Sequence, residues 1–557
     1  LSFLERIGRI QFTLIFVTLA LIITWANSGF YHPDEHYSVL ELLNAMNGKA
    51  EPQYFNWDVT LAMRSLTLPF IFHILKAPLE IAANLFNCQL NPFYLSWYFR
   101  FVGFLLHGYA SYDLIKSWPL FQGTKNVHSR INLTFLMAIW FIPFLWSRTS
   151  GENWSISFFI LAMAFLLKQS VKLKQSVKQS ASQSVKQSAS VDGTKLFVPT
   201  FMAGIFIGCS FFIRFQMGLA VIGLFLWFVS THKDLPARLF KMILYVALGF
   251  LLVGLLATVI DNFYYGKFLF LEPNLQASLK EGHWIFTPFQ YFYFNLIENR
   301  VSQFGVHPWW YYFSLILKKG PPPLGFLLLW GTITFSLLTP WRRNIFIFCL
   351  VPFLIGHIFI GHKELRFLFF AYELMAMMLL FSLIKIWQNN TLSQLWNSNT
   401  KRAQNRFLLV LLAFQSLVWP IMTFSGQHAP LKIYQAIYNR AESVPNIFVI
   451  KNEEGNFLTP SLSFYKRWNG SRPTLDFKPI DWSDLEQPNS LINLNSSIPI
   501  LILTSSYAEQ VRFGQTNYFK NFGCQRESSI YPDFLLAYNP FKWRDRSSIW
   551  SLWKCKE

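Results

Sequence analysis

KMILYVALGFLLVGLLATVIDN, residues 241–262, decides the fold class. Between Lys241 and Asp261 no residue carries a charge, and at about 1.5 Å per helical residue the stretch nearly spans the roughly 30 Å hydrocarbon core of a bilayer. Working outward, comparable runs lie near 10–30, 97–116, 131–148, 154–168, 196–213, 215–231, 322–340, 344–361, 367–387 and 407–425. Run 64–86 is a poorer fit, because it carries Arg64, Lys76, Glu80 and two prolines. It is read as lying in the membrane interface. The expected fold is an all-α polytopic membrane protein of about eleven transmembrane helices.

Composition agrees. Of 557 residues, 53% are hydrophobic and only 14% are charged, too few charges for the surface of a soluble chain this long. The formal net charge of +19 then marks loops beside anionic headgroups rather than nucleic-acid binding. The five cysteines include no CxxC pair, which argues against a metal cluster or a redox motif. Cys524 and Cys555 are placed to join as a disulfide if their region is exported. The first run, from Ile10 to Trp25, lacks a small-residue cleavage site after it and is read as a retained helix.

Charge sets the parity of the spans. Residues 168–195 form a Lys/Gln/Ser repeat too polar to pack a core, expected as a disordered cytoplasmic loop. The basic connections at 116–130, 232–241, 341–343 and 401–406 fall on the same side if run 64–86 does not cross. The opposite, exported side then receives loops 31–96 and 263–321, Arg148, Arg214 and His362. Residues 1–425 are thus expected as the transmembrane domain and 426–557 as a small soluble exported α/β domain, with candidate strands at 446–451, 499–504 and 533–538.

Candidate chemistry gathers on that exported side. Asp34 and Glu35 follow Pro33 at the exit of the first span, ahead of a stripe of Val39, Leu40, Leu42, Leu43 and Met46 that suggests an amphipathic helix on the bilayer. One carboxylate is a candidate general base; the plain alternative is that both acids charge a helix N-terminus. Arg214, His362, Lys363 and Arg366 sit at span exits, suited to a lipid-linked phosphate or, more simply, to snorkelling toward headgroups. His307 precedes Pro308 in a loop and is a candidate phosphate or acceptor ligand. The aromatics from Trp309 to Phe313 fit sugar stacking or, more simply, an interfacial belt.

His32-Pro33-Asp34-Glu35, Trp57 with Arg64-Ser65, Arg148-Thr149, Arg214, Asp261 with Tyr265-Gly266, Gly305 with His307-Pro308-Trp309, and His362-Lys363-Glu364-x-Arg366-Phe367 occur in this order. Together they resemble glycosyltransferase family 22 of the GT-C superfamily, over roughly residues 10–385. The Pro-Asp-Glu and His-Pro-Trp segments look most like the transferases that add the third GPI mannose. The resemblance implies an inverting transfer of mannose or a related hexose from a dolichyl- or polyprenyl-phosphate donor to a glycan or glycolipid. It places the chemistry on the periplasmic or lumenal face of a bacterial inner membrane or the endoplasmic reticulum. It casts Asp34 as base with Glu35 assisting, and Arg214, His362, Lys363 and Arg366 as donor-phosphate ligands; Arg64, Arg148 and His307 join them as substrate-binding candidates. No cofactor or metal is expected, although Asp34, Glu35 and His36 have the chemistry to hold a divalent ion. The sequence departs from the family pattern at Phe370, where a proline is common, at Gly151-Glu152-Asn153, and in the Lys/Gln/Ser insert. Two rivals are a lipid-linked glycan flippase, which would favour midplane polar groups and internal repeats, and a transferase of another sugar such as aminoarabinose.

Overall fold

The computed structural model describes residues 8–49, 51, 55, 57–118, 126–182, 193–232, 236–268, 271–319 and 324–388, together with shorter stretches between 413 and 555. The chain divides into two compact units.

The first unit comprises Leu1–Asn27, Trp57–Phe72 and Tyr98–Ser425 and is helical. Its helices follow the apolar runs: Arg9–Ala26, Gly151–Ser182, Gly193–Ile213, Gly218–His232, Pro236–Tyr265, Leu324–Leu338, Ile345–Phe359 and Phe369–Gln388. Among the described residues, six helices are long and apolar enough to cross a membrane, Thr67–Leu85 among them, and three shorter apolar helices accompany them. The chain is a multi-pass membrane protein. Phe369–Gln388 runs through the core, whereas Pro236–Tyr265 leaves Leu251, Leu255 and Phe263 exposed, as a lipid-facing helix does. Two helix pairs meet backbone to backbone. A Cβ on Gly204 would stand 2.1 Å from the Val246 carbonyl oxygen, and one on Gly223 would stand 1.9 Å from that of Phe348. Only glycine permits either approach.

Two expectations differ from what is observed, and a third falls mostly outside the described residues. Run 131–148 is two helices, Asn126–Met137 and Phe141–Trp146, because Pro143 has no N–H to bond the Ile139 carbonyl. Helix Gly151–Ser182 continues into the Lys/Gln/Ser repeat, where a disordered loop is expected from 168; Lys, Gln and Ala are good helix formers and neither Gly nor Pro interrupts them. Run 407–425 lies mostly outside the described residues.

The second unit comprises Ser28–Asn56, His73–Trp97 and Gly426–Glu557. Its five-stranded sheet has the order β4-β1-β5-β7-β6, from β1 (Asn446–Ile450), β4 (Asp476–Ile480), β5 (Ile500–Ser505), β6 (Gln525–Ser529) and β7 (Trp550–Cys555). β1 pairs in parallel with β4 and β5, and β7 runs antiparallel to β5 and β6. A two-stranded ribbon, β2 (Trp468–Asn469) with β3 (Arg472–Pro473), stands apart. Ile, Leu and Val runs suit central strands of this kind. Cys555 in β7 is disulfide-bonded to Cys524, just before β6. The candidate strand at 533–538 lies outside the described residues.

The segment after Pro33 is a helix in three parts: Pro33–Glu35, a π-turn over His36–Leu40, and Glu41–Met46. It is not amphipathic, since His36 through Ala45 are all buried. On its polar side Glu41 accepts from His36 Nε2 at 2.6 Å and from the Phe464 N–H at 2.9 Å.

Candidate functional site

In the first unit, the connection from Ile360 into the 3-10 turn Leu365–Leu368 carries a charged cluster of His362, Lys363, Glu364 and Arg366. Glu364 receives His362 Nε2 on Oε1 at 2.7 Å and Arg366 Nε on Oε2. The second ring nitrogen of His362 faces the Gly305 carbonyl at 3.1 Å. Both ring nitrogens thus meet oxygen atoms.

Arg214 joins from the other end of the unit's sequence. The helix Gly193–Ile213 stops there, with Arg214 extended at φ −147° before a 3-10 turn over Phe215–Met217. Its Nη2 lies 2.5 Å from Glu152 Oε1, and Arg366 Nη1 lies 3.7 Å from the same oxygen. The two guanidinium carbons also stand 5.7 and 5.2 Å from the Phe367 ring centroid. Nε of Arg214 is buried and has no hydrogen-bond partner among the described residues. The ammonium of Lys363 donates to the Ile360 carbonyl, and burial holds its pKa below the ordinary lysine value. Among the described residues, Arg214 and Arg366 converge on Glu152, and His362 and Arg366 converge on Glu364. Converging cations of this kind suit an anion.

His307 borders this cluster through its backbone, its N–H donating to the Gly361 carbonyl at 2.9 Å, while its ring stacks on Tyr311 at 3.9 Å. Of the aromatics beside it, Tyr312 is buried and Trp309, Trp310 and Phe313 are exposed.

Arg64 and Arg148 stand in other settings. Arg64 Nε is 2.6 Å from Asp58 Oδ2, and its carbonyl accepts from the Tyr265 hydroxyl at 2.6 Å. Close in sequence, the buried carboxylate of Asp261 accepts from the Leu66 N–H (2.7 Å), Ser65 Oγ (3.2 Å) and Thr287 Oγ1 (2.7 Å). Asn262 exchanges two hydrogen bonds with the Ile285 backbone, both at 2.8 Å or less. The end of one long helix therefore pins the segments 64–66 and 285–287. Arg148 is fully buried and donates to the Asn27 carbonyl at 2.7 Å.

Asp34 and Glu35 belong to the second unit. His32 caps their short helix, its Nδ1 accepting from the Asp34 N–H at 3.2 Å, with Pro33 in the first turn. The acids occupy the first turn, where the helix dipole favours them, but neither is the cap. The Asp34 side chain keeps 14% exposure, whereas Glu35 is buried at 2% and accepts from the Tyr31 N–H. Among the described residues, no group of three His, Cys, Asp or Glu side chains is arranged to hold a metal ion.

Sequence reasoning missed Glu152, Glu364, Asp58 and Glu41 as partners. For Glu364 the signal was its place between His362-Lys363 and Arg366. For Glu152 there was none, because its partners lie far along the chain.

Comparison with known proteins places the whole. The chain is 24% identical over 408 residues to GPI alpha-1,2-mannosyltransferase 3 of Homo sapiens, covering 71% of this chain and 62% of that protein. It is 22% identical over 363 residues to GPI mannosyltransferase 4 of Candida albicans, covering 64% of this chain and 65% of that protein. The chain thus spans a little under two thirds of the length of these relatives. In fold it is similar to the crystal structure of ArnT from Cupriavidus metallidurans bound to undecaprenyl phosphate, with a TM-score of 0.50, 11% identity and 98% of each chain covered. Residues 11–456 match the Alg9-like mannosyltransferase family, and the chain belongs to that family.

Proposed function

We propose that the protein transfers mannose, or a related hexose, from a polyprenyl- or dolichyl-phosphate sugar to a glycan or glycolipid acceptor on the non-cytoplasmic face of the membrane. The observation that carries this reading is the largely buried Arg214–Glu152–Arg366–Glu364–His362 cluster, with Glu364 partly exposed, in a member of a mannosyltransferase family. The guanidiniums, His362 and Lys363 neutralise the phosphate that departs as the sugar leaves. Asp34, the more exposed of its pair, takes the proton of the acceptor hydroxyl, and backside attack inverts the anomeric centre. Glu35 assists as a second negative charge, and Arg64, Arg148 and His307 support substrate binding. Because the leaving phosphate is already a stable anion, the scheme uses no divalent ion. The relatives' names make a GPI-type glycolipid the first acceptor to try. Residues 426–557 serve as an exported α/β domain, a reading supported by the Cys524–Cys555 disulfide, which suits an oxidising compartment.

The test is purified protein in lipid, supplied with mannosyl-phosphate lipid and GPI-type or N-glycan precursors, with and without chelator. Product carrying one added mannose of inverted configuration is expected in both conditions. No transfer from any lipid-phosphate sugar sinks the activity; undiminished turnover by Asp34→Asn sinks the base.

A further inference from the structure

The helix that carries Asp34 is held by a segment more than four hundred residues away in sequence, within the same unit. The π-turn over His36–Leu40 makes this possible. Five residues along an α-helix, side chains point about 140° apart at 3.6 residues per turn. The wider π-turn returns Glu41 to the side of His36, so that His36 Nε2 reaches Glu41 Oε1 at 2.6 Å.

The short turn Ser463–Tyr465 closes on that pair. The Phe464 N–H donates to the same Glu41 oxygen at 2.9 Å. The Tyr465 ring lies on the His36 ring at 5.6 Å and 10°, and Phe30 stacks on His36 at 5.4 Å. Tyr465 is itself held by Ser96, through its hydroxyl at 3.0 Å, and by Phe93 at 4.8 Å. Next in sequence, Lys466 Nζ meets both oxygens of Glu51 at 2.9 and 2.8 Å, and Ser463 Oγ donates to Glu51 as well. Every one of Leu462 to Lys466 is buried. The buried His36 is thus held by two rings and by a carboxylate that also accepts from the Phe464 N–H, and it lies two residues from Asp34.

We infer that the segment Leu462–Lys466 is a positioning clamp for the acidic turn, with Tyr465 and Glu41 as positioning residues that act through His36 on Asp34. The inference rests on the proposed role of Asp34. It gives the C-terminal region a part in transfer beyond covering the protein.

The experiment compares Tyr465→Ala, Tyr465→Phe and Asp34→Asn in the full-length protein in lipid. Tyr465→Ala is expected to lower kcat on the order of 10- to 100-fold, as a misplacement of about 1 Å does. The KM for mannosyl-phosphate lipid should stay within about twofold. Backbone hydrogen exchange over residues 33–46 should rise in the same variant. Tyr465→Phe keeps the stacked ring and should restore both readouts. Unchanged exchange over 33–46 in Tyr465→Ala overturns the clamp, and so does an unchanged kcat once exchange has risen. Retained turnover in Asp34→Asn removes the base assignment instead, and exchange then judges the clamp without reference to activity.

Discussion

Arg214 and Glu152 form a buried ion pair, Nη2 to Oε1 at 2.5 Å, and the same carboxylate oxygen also faces Arg366 at 3.7 Å. Removing one member of such a group leaves uncompensated charge inside the protein, where water cannot replace the partner. Glu152→Gln should therefore destabilise the protein by about 3 kcal/mol, the low end for breaking a buried pair, because the amide keeps the shape and a partial negative charge on its oxygen. A lipid phosphate bound at the cluster would supply the missing anion. Thermal unfolding should show a larger stabilisation by polyprenyl phosphate in Glu152→Gln than in the native protein. Equal stabilisation of the two would mean that the phosphate binds elsewhere.

Lys363 sets a pH limit. Burial lowers its pKa below the ordinary value of 10.5, so its charge is lost earlier than that of a solvated lysine. Only the protonated form attracts the donor phosphate. The KM for the lipid donor should be lowest below the Lys363 pKa and rise as pH climbs through it. Stability moves the opposite way: with a depressed folded pKa the buried ammonium is a cost at lower pH, relieved as pH rises toward 10.5. Lys363→Arg, which keeps its charge, should carry the alkaline rise in KM to higher pH. An identical pH profile in the two proteins would exclude Lys363 from donor binding.

The helices were legible in the sequence because hydrocarbon tolerates so few charges that an uncharged run of helical length has few other uses. That logic finds residues 241–262 and 344–361 at once, and it locates Arg214 and His362 as polar groups at span exits. It fails for Glu152, whose two partners lie far along the chain, and for Glu41, whose role depends on a π-turn and on a backbone N–H at Phe464. Periodicity also misled at Val39 to Met46. The apolar stripe is real, but the intervening Glu41 and His36 satisfy each other, so the helix is buried on every side and has no face for a membrane.

Asp261 is a hub for two connecting segments, with acceptor bonds to Ser65, Leu66 and Thr287. Asp261→Ala strands a buried backbone N–H and a buried hydroxyl, at a cost of about 1–3 kcal/mol each. Hydrogen exchange should rise together over residues 58–67 and 285–290. A rise in one segment alone would show that the carboxylate does not couple them. Asp261→Asn retains an acceptor oxygen and should fall between the native protein and Asp261→Ala.

The Cys524–Cys555 disulfide tests the side of the membrane on which the sheet lies. The bond joins the last residue of β7 to the residue before β6, with a sequence separation of 31. Closing a loop of that length restricts the unfolded chain by about 3–4 kcal/mol in the chain-entropy account. Cys524→Ser should lower stability by a comparable amount and loosen β6 first, since among the described residues β6 pairs with β7 alone. Protein alkylated in intact membranes before reduction should show this pair protected and the exposed thiol of Cys88 modified. Cysteines 524 and 555 found reduced in freshly trapped cells would place the sheet on the cytoplasmic side, and the proposed orientation of Asp34 would fall with it.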